Sequence, residues 1–74
     1  MERLMCILNE LDDTIPWETE EKLIDDRILD SFKVIMLISE MENEFDIEIS
    51  AEEIRPENLN SVRKMRTMIQ RLQG

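Results

Sequence analysis

The chain has no histidine and a single cysteine, Cys6, among its 74 residues. Without an imidazole, a serine hydroxyl lacks the usual base that would turn it into a nucleophile, and no His/Cys zinc set can be assembled. One thiol forms no internal disulfide, and its place in an apolar N-terminal stretch predicts a buried small hydrophobe. Long apolar runs are missing too. None approaches the ~20 residues of a membrane span, and the N-terminus lacks the basic region and cleavage site of a signal peptide, so the expected compartment is the cytoplasm. Bases are the minority, 9 Lys and Arg against 18 Asp and Glu, for a formal net charge of -9. Such a surface repels nucleic-acid phosphate and anionic lipid, and its natural partners are basic protein surfaces. Strand patterning is nearly absent: only Phe45-Asp46-Ile47-Glu48-Ile49 alternates, with nothing to pair with, and it reads as a turn seating Ile47 and Ile49 under the bundle.

What is present is helical periodicity in one domain, residues 1–74, of a size whose core supplies only modest stability and leaves no walls for an enzyme cleft. Leu4, Ile7, Leu8 and Leu11 recur at helical spacing and predict a first helix from Glu2 to Leu11 or Asp12. Pro16 disfavours helical backbone at Ile15 and ends it. A long acidic connection follows, pinned by the apolar pairs Leu23-Ile24 and Ile28-Leu29, with Trp17 as an anchor or an exposed contact. In the second helix Val34, Leu37, Ile38, Met41 and Phe45 trace one stripe, opposite Glu40, Glu42, Asn43 and Glu44. Either Asp30 or Ser31 can cap it. Phe32, Ile35 and Met36 fall outside the stripe, so the first half of this helix is apolar nearly all round. Ser50-Ala51-Glu52-Glu53 has the form of a capping box opening a short helix that stops before Pro56. Asn58 or Asn60 can cap a last helix built on Val62, Met65, Ile69 and Leu72. The fold class is all-α, a small four-helix bundle of three main helices and one short one. Charge is segregated as well: Arg63, Lys64, Arg66 and Arg71 follow Asn58 without an acid, as a solvated basic face or a counterpart to the acidic segments.

The chemically distinctive point is Leu29-Asp30-Ser31-Phe32, one hydroxyl at the start of an apolar helix directly after an acid-rich connection. The stretch from Ile24 to Ile49, IDDRILDSFKVIMLISEMENEFDIEI, resembles the acyl carrier protein family, and most of all its freestanding D-alanyl and peptidyl carrier branch. The order of elements over nearly all of the chain is similar to that family. The resemblance implies that Ser31 bears a covalent 4'-phosphopantetheine arm derived from coenzyme A, with Asp30-Ser31-Phe32 in the place of the Asp-Ser-Leu motif. Arg27 stands where the family often has glycine, and Phe32 replaces the usual leucine. Lys33 and Met36 occupy positions where fatty-acid carriers commonly show acids, which suits a dedicated ligase rather than bulk fatty-acid synthesis.

The resemblance implies a monomeric carrier that performs no chemistry of its own and holds an acyl or aminoacyl group as a thioester. Its expected partners are a phosphopantetheinyl transferase, a cognate adenylating ligase and a downstream acyl-accepting enzyme, recognised through Asp30, Phe32 and Met36. For Met36, ordinary packing and partner contact are both open. The rival readings are that Asp30-Ser31 is only an N-cap pair in an unmodified acidic adaptor binding basic protein surfaces, or that paired carboxylates serve as acid and base in an enzyme. Asp12-Asp13 and Asp25-Asp26 lack the spacing of a calcium-binding EF-hand.

Overall fold

The computed structural model describes residues 2–74, and within them four α-helices and one 3₁₀ turn run in the order α1 (Glu2–Leu11), α2 (Ser31–Phe45), the 3₁₀ turn (Ala51–Glu53), α3 (Pro56–Leu59) and α4 (Val62–Gln73), with no strand. Helix α1 packs against α2, and α3 against α4. The buried face of α1 is Leu4, Ile7 and Leu8, that of α2 is Leu37, Ile38 and Met41, and that of α4 is Val62, Met65, Met68 and Ile69. These are the i, i+3, i+4 positions of each helix, where an apolar stripe faces the core. Cys6 is exposed rather than buried. It lies about 200° around α1 from Leu4, because each residue advances about 100°.

The connection from residue 12 to residue 30 carries no regular structure but is fastened along its length. Trp17 is buried, and its indole N–H donates to the Asp12 carbonyl at 2.9 Å. Leu23 and Leu29 are buried, and the Leu29 N–H closes back on the Leu23 carbonyl at 3.0 Å. At the far end of α2, Asp46 takes a left-handed conformation (φ 53) and its N–H returns to the Glu42 carbonyl, the geometry of a helix C-cap. The chain then turns Ile47 and Ile49 into the core, and the Glu42 carboxylate accepts the Ile49 N–H at 2.8 Å.

Two cap assignments differ from the sequence expectation. Ser50 makes no side-chain cap bond. The Glu53 carboxylate that a capping box would turn back is instead taken by Arg71, at 3.0 and 2.7 Å, and by Asn58 at 3.1 Å. Helix α4 is capped by Ser61, whose hydroxyl accepts the Lys64 N–H at 3.1 Å, and not by Asn58 or Asn60. The 3₁₀ turn does end before Pro56, but Pro56 itself opens the one-turn α3, at the position where a missing N–H costs nothing.

Candidate functional site at the start of the second helix

The backbone separates the roles of Asp30 and Ser31. Asp30 is extended (φ -86, ψ 176) and outside the helix, and its carboxylate accepts the Lys33 N–H at 2.8 Å. Ser31 is the first helical residue. Its side chain is exposed, and its hydroxyl makes no hydrogen bond to any of the described residues. One residue therefore satisfies the helix end while the next presents an unengaged hydroxyl beside it. Asp30 takes the Lys33 and Val34 N–H groups, which leaves those of Ser31 and Phe32 without acceptors among the described residues, so the position also favours an anion attached to that oxygen.

The approach to this point is shaped by Arg27, which sits in the left-handed region at φ 58. An L residue there costs about 1–2 kcal/mol relative to right-handed backbone, which is why such positions favour glycine. The turn around it is held from a distance by Asn60. Its Oδ1 accepts the N–H groups of Ile24 and Asp25 at 2.8 and 3.1 Å, its Nδ2 donates to the Asp25 carboxylate at 3.0 Å, and its carbonyl accepts the Leu23 N–H at 2.9 Å. On the other side, Lys33 reaches from the first turn of α2 to Asp12 at the end of α1, Nζ to Oδ2 at 2.8 Å. That hydrogen bond, with further ones from Thr14, holds the Asp12 carboxyl well below the usual carboxylate range, and the same contact pushes the Lys33 ammonium up.

Two surfaces flank Ser31. One is an open groove of about 350 Å³ running from Asp30 and Ser31 to the segment before α3, lined mainly by Ile24, Leu29, Val34, Ile35, Ile54 and Leu59, with Arg55 as its only cation among the described residues. The other is the outward face of α2, where Phe32, Ile35 and Met36 are 70%, 67% and 42% exposed. Met36 also borders a smaller groove of about 200 Å³ between α1 and α2, with Ile7, Leu11 and Leu37 at its floor and Glu10 and Glu40 at its rim. A cleft of about 390 Å³ near Trp17 contains none of these residues.

All four residues singled out from the sequence, Asp30, Ser31, Phe32 and Met36, thus lie at or beside one end of one helix. Asp30 serves as the cap, so a recognition role for it adds to a structural one. Sequence reasoning put Ile35 outside the buried stripe without counting it among the recognition residues, and it missed Arg55 and Ile54 on the groove wall and Asn60 as the fastener of the approach. The apolar positions of α2 outside its buried stripe were the available signal for Ile35, whereas nothing local marks Arg55 or Asn60. Compared with known proteins, the chain matches no family model, no curated protein and no solved structure.

Proposed function

We propose that this chain is a freestanding carrier protein of the acyl-carrier type, with Ser31 as the attachment point of a 4'-phosphopantetheine arm. The observation that carries the reading is the exposed, unbonded Ser31 hydroxyl at the first position of α2, with the capping done by Asp30. Because Asp30 does the capping, the Ser31 oxygen is left accessible to a transferase. The left-handed backbone at Arg27 supports the same reading, since it is the conformation a glycine would take at the position where the resembled family often has one. The apolar groove adds room beside the attachment point for part of an arm or its cargo.

The residues divide the work as follows. In the transferase site, Ser31 Oγ attacks the pyrophosphate of coenzyme A, its proton passing to a base of that enzyme, and the adenosine bisphosphate leaves. The open Ser31 and Phe32 amides and the positive end of the α2 dipole stabilise the phosphodiester so formed. The bound arm supplies a thiol on which an acyl or aminoacyl group is held as a thioester. Phe32, Ile35 and Met36 give the ligase and the downstream enzyme an apolar surface, while the acidic body raises encounter with basic partners. The chain itself catalyses nothing.

The same exposed apolar face would serve an unmodified acidic adaptor. Incubation with coenzyme A and a broad-specificity phosphopantetheinyl transferase separates the two. The expected result is a mass increase of one phosphopantetheinyl group, mapped to Ser31 and absent in Ser31→Ala. A wild-type chain that gains no mass leaves the adaptor, and a Ser31→Ala chain that is still modified moves the attachment elsewhere.

A further inference from the structure

We propose that Arg55 binds an anion in the groove that opens at Ser31: the phosphodiester of the arm or a carboxylate carried by the cargo. The inference rests on the carrier reading and deepens it, because it assigns the groove a charge preference and not only a volume.

Arg55 is held at its backbone, while its charge reaches Glu53 only at longer range. Its N–H donates to the Glu53 carbonyl at 3.0 Å, and its own carbonyl accepts the N–H groups of Asn58 and Leu59 at 2.9 and 3.1 Å. Its guanidinium makes no ion pair within 4.0 Å among the described residues. The adjacent acid that would have been its natural partner, Glu53, is already paired with Arg71 through both carboxylate oxygens. Asp30, the acid on the groove wall, is turned to the Lys33 N–H. In a chain of formal net charge -9, an exposed cation without a salt bridge on a mostly apolar groove wall contributes little to folding that a neutral side chain would not. What it adds is two parallel donors in a fixed fork, matched to a pair of oxygens on phosphate or carboxylate, on an exposed side chain at the edge of the groove. It also offsets the repulsion that Asp30 would exert on an anion at Ser31.

The test follows the Arg55 side-chain Nε–H by NMR in uniformly ¹⁵N-labelled protein in four forms: unmodified, carrying the bare arm, and carrying arms transferred from butyryl- and succinyl-coenzyme A. Mass spectrometry verifies each form. Binding to the phosphodiester predicts that the Nε–H resonance moves, and its exchange with water slows several-fold, in all three modified forms. Binding to a cargo carboxylate predicts the change in the succinyl form alone. In Arg55→Gln, which removes no backbone contact, the ³¹P resonance of the arm should shift from its wild-type position in the first case, and the succinyl carboxylate ¹³C resonance in the second. An Nε–H that is the same in all four forms of fully modified protein overturns the assignment of Arg55 while leaving the carrier reading intact. A chain that gains no mass overturns both.

Discussion

Helix α4 and the first half of α2 spend their large apolar side chains differently. In α4, Val62, Met65, Met68 and Ile69 are buried and the residues between them are polar or cationic, so its apolar content is accounted for by the core. In α2, Leu37, Ile38 and Met41 fill the same role, yet Phe32, Ile35 and Met36 remain in solvent within two turns of Ser31. Burying a side chain of that size is worth roughly 1.5–3 kcal/mol, a gain this part of the chain largely forgoes at Phe32 and Ile35 and in part at Met36. Single exposed apolar residues are ordinary, but several on one short stretch of a small domain are the pattern that interaction surfaces show. The apolar content of α4 is thus explained by folding alone, whereas that of α2 serves folding on one side and, in the carrier reading proposed above, contact on the other.

The comparison breaks most visibly at Leu37. It has no exposed surface, and Leu37→Ala should open a cavity costing about 2–5 kcal/mol, enough to unfold much of a domain this small. Ile69→Ala in α4 should behave alike. Phe32→Ser and Ile35→Ser should each stay within about 0.5 kcal/mol, as exposed substitutions usually do. Urea melts of the four variants decide the matter. A loss at Phe32 or Ile35 comparable to that at Leu37 would mean that the outward face of α2 is core after all.

A smaller effect is expected where the approach to Ser31 is fastened. Asn60→Ala removes the acceptor of the Ile24 and Asp25 N–H groups and should cost about 1–3 kcal/mol, the price of partly buried donors left without partners. Hydrogen exchange should rise at Ile24 and Asp25 in that variant, while the α1 amides keep their protection. Equal acceleration in α1 would show that Asn60 supports the whole bundle and not the connection in particular.

Asp12 sharpens the comparison through pH. Its carboxyl is held low by Lys33 first and Thr14 next, so its folded-state pKa lies below the unfolded one. The stabilisation is therefore fully present above the ordinary carboxylate value near ~3.9 and is lost as pH falls towards the depressed one. The thermal midpoint of Asp12→Asn should lie below wild type at pH 6–7, and the gap should narrow once pH drops below about 4. A gap that is constant through that range would show that the contact with Lys33 does not persist in solution.

Much of this architecture was legible because it repeats at short range. The stripe of α2, the span of α1 and the inward turn of Ile47 and Ile49 all follow from spacing and residue type over a few positions, whereas for Trp17 the structure chooses the anchor over the exposed contact. What was not legible depends on partners far along the chain. Asn60 meets Asp25 across 35 residues, and Arg71 takes Glu53 across 18, which dissolves the capping box that Ser50 and Glu53 seem to spell locally. Asn58, Asn60 and Ser61 are all good caps by type, and only the extended backbone at Ser61 selects among them. At the candidate site the dipeptide Asp30-Ser31 marked the place but not the division of labour, because either side chain can cap. Cys6 was misjudged because an apolar neighbourhood in sequence is not the same as an apolar face.

The finest test of the two-sided reading of α2 is at Met36, one residue from Leu37 and about 100° around the helix. Glu10 and Glu40 stand at the rim of the groove it borders, so glutamate there would add repulsion unrelated to recognition, and glutamine is the cleaner substitution. At 42% exposure, Met36→Gln should shift folding stability by no more than about 0.5 kcal/mol. If a cognate ligase covers the face, the same change places an amide in an apolar contact and should slow loading of the modified chain, chiefly through a raised KM for the carrier. A melting curve and loading kinetics on Met36→Gln are sufficient. A variant that melts normally and loads at the wild-type rate would confine recognition to Phe32, Ile35 and the groove beyond Ser31. One that melts several degrees low would assign Met36 to packing, and would move the boundary between the two sides of α2 by one residue.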